Sequence, residues 1–344
     1  MYDIKSMTES ELTGLMLSMG QPGFRGRQIF RWLIDGAESF EEMTNLPATL
    51  RQELGDRCSI RVLCPLSKQR SSDGTVKLLW GLGDGNTVES VCMRYTHGNT
   101  VCVSTQVGCG QGCAFCASTR GGLVRNLEPW EMYEQVRLTG REAGGGISNV
   151  VLMGIGEPLE NFDNVLRFFQ LLNDPAGLNI GMRHISLSTC GPPGGIERLA
   201  AEGLQITLSV SLHAADDETR DRMMPVNRKS GGIGALIQSC DKYFERTGRR
   251  VSYEYLLADG VNDSDEQAEK LSRLLKGKNA HVNLIPLNAV DRALYRPSGR
   301  ERVKSFAGIL NKNGINATVR RKMGGDIDAA CGQLRARKNL TNDR

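Results

Sequence analysis

No run in the 344-residue sequence approaches the ~18 consecutive apolar residues of a membrane span, so no membrane association is expected. The opening stretch MYDIKSMTESELTGLMLSMG carries acidic residues and no uninterrupted apolar run, which argues against a signal peptide. Surplus charge is also scarce: 43 Lys and Arg against 39 Asp and Glu leave +4, so the chain is only mildly basic. Short-period repeats and low-complexity linkers are absent. Ten cysteines at irregular spacing in a long chain without a leader point to a reducing compartment, hence the cytoplasm, and not to a disulfide scaffold. The remaining composition is ordinary for a globular chain, 40% hydrophobic and 24% charged, long enough for one large core and a smaller one.

The most informative stretch is TQVGCGQGCAFCASTRGGLVRNL, which holds Cys109, Cys113 and Cys116 in a C-x3-C-x2-C spacing. A structural zinc site closes its tetrahedron with four protein ligands, usually paired cysteines or added histidines. Downstream of Cys116 the next histidine is His184 and the next cysteine is Cys190. Three thiolates without a nearby fourth ligand suit a 4Fe-4S cluster with one iron left open to a small molecule. Zinc and a disulfide knot are the competing readings. Phe115, just before the last cysteine, is placed to shield such a cluster from water. This pattern resembles the radical S-adenosylmethionine (SAM) enzymes, a resemblance that implies SAM chelated at the open iron.

Organisation along the chain fits that chemistry. Residues 8–57 read as helical, with a capping box at Thr8-Glu9-Ser10-Glu11 and stops at Gly20 and Gly36. They form a small all-helical domain, assigned to residues 1–57, with a basic turn at Phe24 to Arg27. Residues 58–99 are rich in Val, Thr and aromatics broken by Gly-Asp-Gly, and read as a β-hairpin extension. From 100 to 322 the apolar runs TVCVS, NVVLMGIG, HISLSTCG, QITLSVSLH, RVSYEYLLADG and AHVNLIPLN alternate with amphipathic stretches. Six β-α units imply an α/β fold with a parallel sheet, too short for a full eight-stranded barrel: a partial (β/α)6 barrel. Residues 323–344 form a C-terminal loop and a loose basic tail.

The candidate groups fall at the C-terminal ends of those strands, where such barrels carry their chemistry. Gly156 and Glu157 follow strand 2, and the acid can accept from a ligand ammonium or cap the next helix. Strand 3 ends in Ser188, strand 4 in Ser211, Leu212 and His213, and strand 6 in Asn288. His213 alone reads equally well as a packed residue. Together these small polar groups can hold the ribose, amino acid and adenine parts of SAM. Cys58, Cys64, Cys92, Cys190 and Cys240 read as inert core cysteines. Cys331, in the glycine-flanked acidic segment GGDIDAACGQL, reads as a loop residue, and Cys102 ends strand 1. Basic residues cluster at Arg25, Arg27 and Arg31, at Arg246, Arg249 and Arg250, at Arg320, Arg321 and Lys322, and at Arg335, Arg337 and Lys338. Any one cluster suits a solvated face, whereas several favour a phosphate backbone as partner.

The collinear string VESVCMRY, VCVSTQVGCGQGCAFCASTRGGLVRNL, MGIGEPLEN, ISLST, VSLHA, MPVN, EYLL, GVND, HVNLIPLN and DIDAACGQL resembles the RlmN/Cfr family of RNA methyltransferases from about Phe24 to Leu334. The resemblance implies that Cys109, Cys113 and Cys116 hold the cluster, and that Gly156, Glu157, Ser188, Ser211, Leu212, His213 and Asn288 contact SAM. It implies Cys331 as the methyl-carrying cysteine, Cys102 as its resolving partner through a transient disulfide, and Glu89 as the base. The implied substrates are 23S rRNA at the peptidyl-transferase loop and some tRNAs beside the anticodon, with an N-terminal domain that grips RNA. A monomer and a flavodoxin-like electron donor are implied as well. Pro158 in MGIGEPLEN matches the RlmN branch, which makes 2-methyladenine, whereas Cfr-type methylation at C8 is the alternative. Cys190 departs from the family pattern, which has serine there. A non-catalytic iron–sulfur or zinc protein that binds RNA remains the rival class, and it has no use for Cys331.

Overall fold

The computed structural model describes residues 2–288 and 294–334. Strand β1 (Tyr2–Asp3) opens the chain and is followed by helices α1 (Glu9–Ser18), α2 (Phe24–Asp35) and α3 (Ala48–Arg57). The first helix starts on the expected capping box: the Thr8 hydroxyl accepts from the Glu11 N–H, and the Glu11 carboxylate accepts from the Thr8 N–H. The second stops at Gly36, whose φ of 101° lies in the left-handed region glycine tolerates. β2 (Cys58–Ser59) then pairs in parallel with β1 and closes the unit. Leu12, Met16, Ile29, Phe30, Leu33, Leu50 and Leu54 form its own core.

Close approach of α1 and α2 depends on Gly26. A methyl group there would stand 2.4 Å from the Thr13 nitrogen and 2.5 Å from its Cα. Gly26→Ala is therefore expected to destabilise the protein by about 1–3 kcal/mol through overpacking. The check is the urea midpoint; an unchanged midpoint would mean that the helices part without cost.

Strands β3 (Cys64–Arg70), β4 (Val76–Gly81), β5 (Thr87–Tyr95) and β6 (Gly98–Cys102) form an antiparallel meander. After it, β7 (Gln106–Gly108) and β8 (Leu123–Asn126) make a small hairpin around the cysteine loop. The chain then alternates: α4 (Pro129–Ala143), β9 (Ile147–Leu152), α5 (Phe162–Asn173), β10 (Ile185–Thr189), α6 (Gly195–Ala201) and β11 (Thr207–Ser211). Three helices follow, α7 (Asp217–Met223), α8 (Val226–Lys229) and α9 (Gly232–Thr247), and then β12 (Val251–Leu257), α10 (Asp265–Leu275), β13 (Ala280–Pro286), α11 (Arg300–Lys312) and β14 (Ala317–Val319).

All but four of these strands join one ten-stranded sheet, ordered β14-β13-β12-β11-β10-β9-β6-β5-β4-β3. The six expected parallel strands are present, and β14 adds a seventh beside β13. The meander is continuous with the barrel sheet, because β6 pairs antiparallel with β5 and parallel with β9. An edge that would otherwise expose unpaired backbone is thus covered on the β6 side. The basic tail with Arg335, Arg337 and Lys338 lies outside the described residues.

Side-chain alternation sorts the two faces of the sheet. Leu187, Leu208, Val210, Tyr253, Tyr255 and Leu284 pack outward against the helices with Val136, Phe168, Leu199, Leu236, Leu271 and Phe306. The alternate residues face the barrel interior and are mostly small and polar: Ser186, Ser209, Ser252, Glu254 and Asn283 line a cavity of about 360 Å³. The interior is hollow and hydroxyl-lined, unlike the packed interior of a closed eight-stranded barrel. The N-terminal unit is tied to the barrel through Lys5, which is buried and donates to Glu134 of α4 at 3.2 Å, the same carboxylate that Arg137 clasps with two 2.7 Å bonds.

Candidate active site

A cavity of about 150 Å³ opens at the C-terminal ends of the parallel strands. Cys109, Cys113 and Cys116 line it together with Gly156, Glu157, Ser188, Ser211, His213 and Cys331. Beside it lies a smaller cavity of about 40 Å³, lined by Cys102, Cys331, Asn288, Met153 and Arg320 among others. Cys331, Ile285, Met153 and Arg320 belong to both walls. The loop carrying Cys331 therefore stands between the cluster loop and strand β6.

Burial raises all three cluster-loop thiols above their ordinary range, Cys109 to about 12, and for Cys113 and Cys116 too desolvation is the leading cause. Each thiol also feels another cysteine of the site, which places them within electrostatic reach of one another. Among the described residues no three thiol, imidazole or carboxylate ligands converge on one point. A cubane does not ask for that, since each thiolate binds a different iron. The loop itself is held by Ala114 N–H donating to the Met223 carbonyl at 2.9 Å and by the Phe115 ring, edge-on to His213 at 5.0 Å.

His213 has φ 57°, a left-handed conformation that costs a non-glycine residue energy and is held here by its neighbours. Its Nδ1 accepts from the Leu256 N–H at 3.0 Å, and burial lowers its pKa to about 3, so the ring is neutral with its proton on Nε2. Glu157 is buried at 3% exposure. Its carboxylate accepts from Leu159 N–H at 2.9 Å, Thr189 Oγ1 at 2.8 Å and Cys190 N–H at 2.8 Å, while burial pushes its pKa up. The acid thus both caps the short helix at Pro158 and faces the cavity. Gly156 has φ 111°, and a Cβ there would meet Gln106 Cβ at 2.7 Å. Asn288 donates to the Cys331 carbonyl at 3.3 Å, and its buried Oδ1 has no partner among the described residues. An unpartnered buried acceptor beside the cavity fits a ligand with a hydroxyl or amino group.

Two sequence-selected residues, Leu212 and Glu89, stand apart from the cavity walls. The Leu212 side chain packs in the main core, and its carbonyl accepts from Arg220 Nε at 3.1 Å. Glu89 lies on β5, buried and paired with Lys77 at 3.4 Å. It shares the β5 face of Val91 and Met93, which do line the smaller cavity. Cys190 is buried as expected but at the cavity wall, where burial and Glu157 hold its thiol well above the ordinary range. Of the cysteines taken for core residues, Cys64 is exposed, because every residue of the edge strand β3 faces solvent. All ten cysteines are free thiols.

Composition gave no sign of three cations that turn inward around this site, two of them, Arg220 and Lys77, buried. Arg220 of α7, fully buried, donates to the carbonyls of Leu212, Cys190 and Ser211 and to Asn227 Oδ1, fixing the ends of β10 and β11. Arg220→Met should cost about 3 kcal/mol, since several buried acceptors lose their donor at once. The urea midpoint measures this, and an unchanged midpoint would deny Arg220 that role. Lys77 pairs with Glu89 and donates to the Asp328 carbonyl at 3.1 Å. Arg320, counted in a basic cluster, turns inward to both cavities.

A family model described as the radical SAM superfamily matches residues 103–272. A second, the ribosomal RNA large subunit methyltransferase N-terminal domain, matches residues 2–60. A probable dual-specificity RNA methyltransferase RlmN from Symbiobacterium thermophilum is 53% identical over 97% of this chain and 91% of its own. A relative of the same description from Desulforamulus reducens is 49% identical over 99% and 97%. Among solved structures, a radical SAM methyltransferase from Sphaerobacter thermophilus superposes with a TM-score of 0.92 at 45% identity, covering 97% of this chain and 99% of that one.

Proposed function

Because the chain belongs to the RlmN family of radical SAM RNA methyltransferases, we propose that it methylates carbon 2 of adenine, in the peptidyl-transferase loop of 23S rRNA and beside the anticodon of some tRNAs. The observation that carries this reading is the position of Cys331, which comes from the far end of the chain. It lines one cavity with the three cluster-loop cysteines and the adjoining one with Cys102.

Cys109, Cys113 and Cys116 would hold a 4Fe-4S cluster. Gly156, Glu157, Ser188, Ser211, His213, Asn288 and the Leu212 backbone would hold SAM. When bound, the cluster and SAM supply a carbon radical that removes a hydrogen atom, together with an acceptor for the electron released later.

The chain's own residues do the rest. Adenine carbon 2 is a poor nucleophile and the SAM methyl group is an electrophile, so direct polar transfer is slow, whereas a thiolate attacks that methyl group readily. Cys331 sulfur takes the methyl from a first SAM: an S–C bond forms and S-adenosylhomocysteine leaves. After hydrogen removal, the sulfur-bound carbon bonds to carbon 2, and Glu89 takes the ring proton. Cys102 then attacks the Cys331 sulfur: an S–S bond forms, the S–C bond breaks, and its electron pair leaves with the carbon, which is protonated to methyl. Phe24 and Arg25, stacked at 4.8 Å on the exposed N-terminal unit, supply an RNA-facing surface of aromatic and basic groups. A monomer working in the cytoplasm with a flavodoxin-like donor completes the reading.

The test is mass spectrometry of nucleosides after anaerobic incubation of reconstituted protein with reductant, SAM and an rRNA fragment containing the loop. 2-Methyladenosine is expected. 8-Methyladenosine would move the chain to the Cfr branch, and 5′-deoxyadenosine without methylated nucleoside would make the RNA substrate wrong.

A further inference from the structure

The release step places a demand on Cys102 that its surroundings oppose. Its side chain sits on β6 among Val91, Met93, Ile155, Met323 and Ala329, with 7% of the residue exposed. Burial, and after it the neighbouring Cys331, pushes its thiol up to about 12. A thiol so placed is held in its protonated form at neutral pH, and only the thiolate attacks sulfur.

Three cations line the cavity that Cys102 shares with Cys331: Arg320, Arg321 and Lys322. Arg321 and Lys322 are exposed. Arg320 is anchored by its backbone N–H to the Leu284 carbonyl at 2.8 Å and lays Nη1 against Met153 sulfur at 3.5 Å. It alone also reaches the larger cavity and the barrel interior. Within its electrostatic reach lie Cys331, Glu254, Tyr95 and Cys102. Glu254 is buried, accepts from Asn283 Nδ2 at 2.8 Å, and lines the larger cavity and the barrel interior.

We propose that Arg320 is a further residue of the transfer chemistry, the cation that stabilises the Cys102 thiolate as it attacks Cys331 sulfur to release the product. This rests on the two-cysteine reading above. In the step an S–S bond forms and the S–C bond to the methylene group breaks. The sulfurs are together oxidised by two electrons, and the departing carbon is reduced by the same two. The proton that Cys102 gives up is matched by the one the carbon takes, exchanged through water in the polar barrel interior, so no further oxidant enters.

The experiment follows protein–RNA adduct on denaturing gels and 5′-deoxyadenosine by chromatography, in Arg320→Met, Arg320→Lys and Cys102→Ala. Arg320→Met should form 5′-deoxyadenosine and accumulate adduct as Cys102→Ala does, with release slowed roughly tenfold or more. Arg320→Lys should restore release. A second readout needs no SAM or RNA: in a Cys331→Ala background, alkylation of Cys102 should be slowed by Arg320→Met and preserved by Arg320→Lys. If Cys102→Ala itself gathers no adduct, the two-cysteine reading falls and this inference with it. If Cys102→Ala traps adduct while Arg320→Met releases product at the parent rate, or makes 5′-deoxyadenosine without adduct, the role of Arg320 is overturned alone. Should Arg320→Met make no 5′-deoxyadenosine, alkylation of Cys102 decides: unchanged reactivity overturns the proposal.

Discussion

Cys331→Ala is expected to abolish RNA methylation, by at least about a thousandfold, as removal of a covalent nucleophile does. The cluster's absorbance should be unchanged. The loop that carries Cys331 is fastened by contacts that do not use its sulfur. Asp326 accepts from Ser71 Oγ at 2.5 Å and Ser72 N–H at 3.1 Å, Gly324 N–H donates to Asp73 at 2.8 Å, and Ser118 Oγ donates to the Leu334 carbonyl at 2.7 Å. Ala117 N–H also donates to the Gly332 carbonyl at 2.8 Å, joining the loop to the segment just after Cys116. Alanine keeps all of these bonds and removes only the group that accepts the methyl. Activity is measured by nucleoside mass spectrometry and the cluster by its visible spectrum. Methylated RNA from this variant would sink the two-cysteine mechanism, whereas loss of the spectrum as well would make the residue structural.

Cys102→Ala should have the opposite appearance: chemistry that begins and does not finish. Without its attack on the Cys331 sulfur, the S–C bond to the base has no partner to displace it. Nearly all first-turnover product should remain as a covalent protein–RNA adduct. The position is tightly packed on β6, opposite Val91 and Val151, so removal of the sulfur should also cost about 1–2 kcal/mol of stability. That loss is too small to unfold a domain of this size, and the adduct separates the two effects, because an unfolded protein forms none. Free methylated RNA at the parent rate would show that another thiol or a hydrolytic route ends the reaction.

Much of the fold was legible from local signals. The Thr8–Glu11 capping box and Gly36 stop act within one turn, and the six barrel strands announce themselves as apolar runs between amphipathic helices. The seventh strand, Ala317–Val319, is three residues long with only Ala317 buried, too short to raise a periodic signal. The continuity of the meander with the barrel sheet is a pairing between β6 and β9, across a whole helix, and no local pattern encodes it. At the site, cysteines and glycines could be picked out because few other roles demand them at such spacing. Arg220, Lys77 and Arg320 could not, since a charge reads as solvated until the fold shows which neighbours surround it. The same limit explains Leu212, whose side chain packs in the core while its carbonyl is bound by Arg220, and Cys64, which lies on an exposed edge strand.

The central claim is that Cys331 carries the methyl group, and peptide mass spectrometry tests it most directly. Reconstituted protein is incubated with reductant and SAM labelled in the methyl group, without RNA, then digested with trypsin. The fragment from Met323 to Arg335 contains Cys331 as its single cysteine. The account predicts that this fragment becomes heavier by one labelled methyl group on sulfur, and that the label passes to RNA when RNA is added. An unlabelled fragment from protein that still methylates RNA would contradict it.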